Sequence, residues 1–199
     1  MIKLNKCDRD VKISNEIAFI LGDGWSAQND LEKMRDFHLQ VDYSSLGRSI
    51  KLLDRCSHWF NVDADCAIHW AGTLPEIRPE GGMPIKHTLG ECRNFDADWD
   101  IIGKLWKLDE IMWHGSSALF AVMACHEMGY KKIVLGGCPL DSKGHWYWSD
   151  LDVPGPIWNA ETYQSWFEYI RTEPSSKVRS FSGYTAQMLG EPTREWLLE

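Results

Sequence analysis

The sequence predicts an α/β fold, with a mostly parallel sheet and helices on both faces. Residues 17–21 are a short continuous apolar run closed by Gly22-Asp23-Gly24, the pattern of a strand buried on both faces. Residues 116–137 pass from a serine pair through an apolar stretch to Gly129, then through Ile133, Val134 and Leu135 to Gly136-Gly137. That is helix, glycine stop, strand and glycine loop at the spacing of parallel α/β units. The chain has 199 residues, 44% of them hydrophobic, enough for one core. The expectation is a single Rossmann-like α/β domain over residues 1–199.

After the first strand, Leu31, Met34 and Phe37 fall at helical spacing, with Ser26 or Asn29 as cap. Leu46, Ile50 and Leu53 suggest a second helix, and residues 59–62 a second strand. Residues 67–70 read as a strand or a helical turn. Residues 72–98 read as a loop-rich excursion with a strand at 83–88, and residues 99–108 hold either a strand or a helix. Ser116 or Ser117 caps the apolar helix, and Gly129 supplies its left-handed stop. Residues 138–158 form an aromatic lid loop. Asn159 opens a helix with Tyr163, Trp166, Phe167 and Ile170 on one face. Residues 178–181 are a strand, and helical turns follow at 185–189 and 192–198.

The formal net charge is −8, from 21 basic and 29 acidic residues. That balance argues against nucleic acid and anionic membrane surfaces as partners. No targeting segment and no stretch of membrane-span length is visible, so a cytoplasmic protein without a membrane span is expected. A homo-oligomer stays open. The six cysteines (Cys7, Cys56, Cys66, Cys92, Cys125, Cys138) form no C-x-x-C. Cys56 with His58 and Cys66 with His69 lack a matching second pair, so no metal site is expected.

Three segments could carry chemistry. Gly22-Asp23-Gly24-Trp25-Ser26 follows a strand and opens a helix, where glycines admit a phosphate and the helix start supplies N–H groups. A tight strand-to-helix turn explains the same residues. Ser116-Ser117 at a helix start can hold a phosphate or ribose, or simply cap the helix. Gly137-Cys138-Pro139 leads into Gly144-His145-Trp146-Tyr147-Trp148, at the strand end where open α/β sheets bind ligands. Aromatic faces there can stack on a base or sugar. His145 is the best-placed general base, because an imidazole titrates near neutrality. His126 reads as a packed or orienting residue, and Cys138 as a weak candidate nucleophile without a partner base.

Taken in order, these segments resemble the bacterial sialyltransferases that decorate lipooligosaccharide, and the related 6-hydroxymethylpterin diphosphokinase-like family. The matching residues are Gly22-Asp23-Gly24-x-Ser26, the Asn61 region and Ser116-Ser117-(x)11-Gly129-Tyr130-Lys131-Lys132-Ile133. Leu135-x-Gly137 and Gly144-x-x-Tyr147 follow. The resemblance implies that Gly22, Asp23, Gly24, Ser26, Asn61, Ser116, Ser117 and Gly137 line a nucleotide pocket. It implies Tyr147 as a phosphate partner, a histidine as base, and no metal or other cofactor. The sequence departs from that pattern in two places. Asp23 stands where the family has asparagine, and no histidine follows His145.

The expectation is a transferase using a nucleotide-activated donor, a nucleotide sugar above all, with His145 and Tyr147 as catalytic candidates. One rival is a nucleotide-binding protein without catalysis. The other is a pterin pyrophosphate-transferring enzyme that would require Mg2+ on acids such as Asp23, Asp63 and Asp141.

Overall fold

The computed structural model describes residues 13–62, 83–89, 97–99, 116–147 and 160–199. Several expectations lie outside these residues: the elements at 67–70 and 100–108, the Asn159 cap, Asp63, and most of the 72–98 excursion. Residues 148–158 of the lid also lie outside them, as do Cys7, Cys66, Cys92, His69 and His114.

Among the described residues, seven strands form one sheet in the order β5-β4-β3-β2-β1-β6-β7, and every neighbouring pair is parallel. The strands are β1 (Ile17–Leu21), β2 (Asp42–Leu46), β3 (His58–Asn61), β4 (Ile85–Leu89), β5 (Ala97–Trp99), β6 (Lys132–Gly136) and β7 (Val178–Ser180). The described helices are α1 (Ala27–Asp36), α2 (Ser117–Met128), α3 (Ala160–Tyr169), α4 (Gly183–Leu189) and α5 (Arg194–Leu198). β1 lies centrally between β2 and β6. The chain builds outward from β1 in one direction through β2 to β5, then returns to its other side with β6. The junction of β1 and β6 is therefore the topological switch point, where sheets of this class open a crevice at their carboxyl ends.

Strand alternation divides the core into two layers. Ala18, Ile20, Phe60, Ile133 and Leu135 face a layer closed by α2, Trp166 and Tyr169. Phe19, Leu21, Trp59 and Val134 face the other, closed by α1, Ile50 and Leu197. α2 is buried along nearly its whole length, and it ends as expected at Gly129 with φ 93°. Its N-cap is Ser116, whose hydroxyl accepts the Leu119 N–H at 3.2 Å.

The structure corrects the reading of residues 42–53. A strand, β2, occupies Asp42–Leu46, and a short 3-10 helix follows at Gly47–Leu52. The strand is Asp-Tyr-Ser-Ser-Leu, and Ser44 and Ser45 are fully buried in it, so hydrophobic periodicity could not reveal it. Phe167 is also exposed rather than on the packed face of α3, where Trp166 is fully buried.

A polar chain crosses the layer at the amino ends of the strands. The Tyr130 hydroxyl donates to Asp42 Oδ2 at 2.9 Å, so its oxygen accepts from His58 Nε2 at 3.0 Å. His58 Nδ1 is then left to accept from His87 Nε2, also at 3.0 Å. Burial lowers His58 to about 4 against the pull of Asp42, and burial with His58 nearby sets His87 well below its ordinary value. Burial alone would raise Asp42. The Ser14 N–H, the Asn15 amide, Tyr130 and the Asn15 N–H outweigh it and hold the carboxylate low.

Candidate functional site

The loops leaving β1 and β6 lie against each other. Gly22 N–H donates to Gly136 O and Gly24 N–H to Gly137 O, both at 2.8 Å. Trp25 N–H reaches Gly144 O, and Trp146 N–H reaches Asp23 O, each at 3.0 Å. The glycines are required by this approach. A Cβ at Gly22 would stand 2.5 Å from Gly137 O, and one at Gly137 would stand 2.5 Å from Gly22 O. Gly137 also has φ 62°, a conformation that disfavours any other residue. The N–H groups of Gly22, Gly24 and Trp25, expected to face a phosphate, are thus engaged in joining the two loops.

Below the loops, buried Asp30 ties them together. Its Oδ2 accepts from Gly137 N–H at 2.9 Å, Ser26 Oγ at 2.8 Å and Ser182 Oγ at 2.6 Å. Ser26 occupies the α1 N-cap position, but its hydroxyl serves this network instead of capping the helix. Asp30 was invisible as a hub in the sequence, since it reads as an ordinary polar position in the first turn of a helix.

Above the loops, a second group converges. Asp23 follows β1 and receives the Arg48 N–H on Oδ2 at 2.9 Å. Arg48 is the second residue of the 3-10 turn after β2, and the Arg48 and Ser49 N–H groups both help hold the carboxylate charge. Asp23 thereby caps a turn that belongs to the neighbouring strand. Gly47 makes room for it, because a Cβ there would meet Asp23 Oδ2 at 2.5 Å. Asp23 Oδ1 and Trp146 Nε1 are both sealed from solvent without a hydrogen-bond partner of good geometry. Burial raises the Asp23 pKa to about 6. The Arg48 and Ser49 N–H groups, the Trp146 indole and the Arg48 charge keep it from rising further.

The Arg48 guanidinium lies over the Tyr147 ring, 4.6 Å from its centroid. Tyr147 in turn stacks on His145, with centroids 5.2 Å apart and planes 2° apart. His145 Nδ1 is 3.1 Å from Asp23 O. A carbonyl only accepts, so Nδ1 carries the hydrogen and the neutral ring keeps its lone pair on Nε2. Burial, reinforced by the Arg48 charge, outweighs that hydrogen bond and lowers the His145 pKa. The imidazole is therefore neutral at pH 7, as a general base must be.

Asp23, His145 and Tyr147, named from the sequence, stand together, and Arg48 joins them as a residue the sequence reading missed. A glycine-arginine pair after a strand would have pointed to it, had β2 been recognised. Asn61 ends β3 on the same carboxyl edge, separated from the β1 end by β2, which at ordinary strand spacing is about 10 Å. Ser117 opens α2. The Ser116 hydroxyl caps that helix and accepts Trp166 Nε1 at 3.1 Å. Cys138 is buried, and burial pushes its thiol far up, with Asp30 and Asp23 adding to the shift. It holds no thiolate for nucleophilic attack. His126 packs as expected, with Nε2 at 2.9 Å from the Tyr169 hydroxyl. Asp141 accepts the Trp25 indole N–H at 3.0 Å. Among the described residues, no group of three or more His, Cys, Asp or Glu is placed to hold a metal ion. No helix among them is long and apolar enough to cross a membrane.

No protein-family model and no curated protein sequence matches the chain. Among solved structures, the monofunctional α-2,3-sialyltransferase Cst-I from Campylobacter jejuni is similar to it, with a TM-score of 0.58. The two are 13% identical over 92% of this chain and 82% of that one. The fold of this chain is therefore a sialyltransferase-like α/β fold.

Proposed function

We propose that the chain is a transferase that binds a nucleotide-activated donor, most naturally a nucleotide sugar, at the carboxyl edge between β1 and β6. The observation that carries this reading is the convergence of Asp23, Arg48, His145 and Tyr147 at the switch point of the sheet. Arg48 supplies positive charge for a donor phosphate, and the Tyr147 hydroxyl a hydrogen bond to it. Neutral His145, oriented through Nδ1, takes the acceptor proton on Nε2. The joined glycine loops at Gly22, Gly24 and Gly137, with Ser26 locked beneath them, form a rigid floor. Asn61 and Ser117 are the contacts for the nucleoside in this reading, while the buried Ser116 hydroxyl stays with the helix cap and Trp166. The likeness in fold to a sialyltransferase supports a sugar-transferring chemistry.

Thermal unfolding over a panel of nucleotides and CMP-, UDP- and GDP-linked sugars tests the binding. A ligand at 100 times its dissociation constant should stabilise the fold by about 2.7 kcal/mol. Arg48→Ala should weaken that response. Donor hydrolysis or transfer should be lost in His145→Ala. Equal rates in the two proteins would remove His145 from the mechanism, and binding without turnover would leave a nucleotide-binding protein. No response to any ligand would overturn the reading.

A further inference from the structure

We propose that Asp23 couples ligand binding at this edge to a proton: an anionic ligand settling against Arg48 is bound together with one proton, taken from solvent onto Asp23 Oδ1. The inference rests on the reading above. It deepens that reading by assigning Asp23 the role of a charge gate on the site.

The geometry carries it. Asp23 Oδ2 is committed to the Arg48 backbone N–H, so the carboxyl group cannot swing away from an arriving anion. Oδ1 is sealed from water and makes no hydrogen bond of good geometry, with only the Trp146 indole easing its charge from the loop after β6. Among the described residues, Arg48 faces Asp23 from the turn after β2, and His145, Tyr147 and Cys138 face it from the loop after β6. Arg48 is the lone permanent charge in this set. His145 and Cys138 are neutral at pH 7, for the reasons given above, and burial likewise keeps the Tyr147 hydroxyl protonated. Among the described residues, the negative group that an anion beside Arg48 meets is Asp23, and like charges at close range disfavour joint ionisation. Burial already brings that carboxyl to about 6, so a ligand charge carries it through neutrality. Protonated, Asp23 changes from a repelling acceptor to a hydrogen-bond donor.

The test uses CMP-, UDP- and GDP-linked sugars, whose esterified phosphates do not titrate between pH 5 and 8. Affinity of the tightest binder is measured by calorimetry across that range, in two buffers of different ionisation enthalpy. Above pH 6, affinity should fall by about tenfold per pH unit, with uptake of one proton. Asp23→Asn should bind with little pH dependence, and more tightly than the wild type at pH 8. His145→Gln should keep the wild-type slope. A flat profile in a wild type that binds would overturn the coupling and leave the nucleotide reading standing. A slope lost in His145→Gln and kept in Asp23→Asn would assign the proton to the histidine and overturn the role of Asp23. Failure of all three sugars to bind at every pH would bring down the nucleotide reading and the coupling together.

Discussion

Replacing Asp23 with asparagine should stabilise the free protein at pH 8 and leave it nearly unchanged at pH 4. The folded carboxyl has its pKa raised from 3.8 to about 6, chiefly by burial. The fold therefore favours the protonated form. Its contribution is full below pH 3.8 and is lost as pH rises through about 6. The shift of roughly two units corresponds to about 3 kcal/mol of destabilisation by the ionised group at pH 8. Asparagine keeps an acceptor oxygen for the Arg48 N–H and removes the buried charge. Urea unfolding of both proteins at pH 4, 6 and 8 gives the comparison, and the difference between them removes every other titrating group. A variant less stable than wild type at pH 8 would refute the reasoning. It would mean that the carboxylate cap over Arg48 and Ser49 outweighs the cost of burying the charge.

Three further outcomes are expected. Gly137→Ala places a Cβ 2.5 Å from Gly22 O on a residue at φ 62°. It should cost about 3 kcal/mol in urea unfolding, and a cost under about 1 kcal/mol would show that the two loops are not tightly joined. Asp30→Ala strips the acceptor from Gly137 N–H and the Ser26 and Ser182 hydroxyls. It should lower stability by about 3 kcal/mol, read as a fall in Tm, whereas an unchanged Tm would deny Asp30 its role as hub. His58 has its folded pKa lowered to about 4 by burial. The stability it contributes is present above pH 6.5 and falls away as pH drops towards 4. A wild-type minus His58→Gln comparison should therefore shift against the wild type by about 3 kcal/mol across that window, and a constant difference would contradict it.

How much of this was legible in the sequence depended on whether apolar residues or polar ones shaped each segment. β1, α2 and β6 are apolar runs bounded by glycine, so they could be read directly, whereas the switch point follows from the strand order. β2 could not, because its buried inward residues include Ser44 and Ser45. Missing β2 also hid Gly47 and Arg48, which belong to the turn that follows it. Asp23 and His145 were named because they lie in loops that follow strand ends, and Tyr147 through the family resemblance; they stand together because the sheet order sets β1 beside β6. Their mutual stacking with Arg48 and the cap over the 3-10 turn arise from contacts between segments far apart in sequence. The same holds for Ser26, a plausible cap by position whose hydroxyl turns to Asp30 and Ser182. The His58-His87-Tyr130-Asp42 chain draws on three strands and the turn before a fourth, and no local pattern marks it.

The most direct test of the account is a crystal structure of the protein with a bound nucleotide or nucleotide sugar at pH 5.5. The account predicts the ligand phosphate against Arg48 and Tyr147, above the joined Gly22–Gly24 and Gly137 loops, with His145 Nε2 facing the side from which the acceptor hydroxyl approaches. A nucleotide bound away from the β1–β6 edge, with Arg48 and Tyr147 untouched, would contradict it.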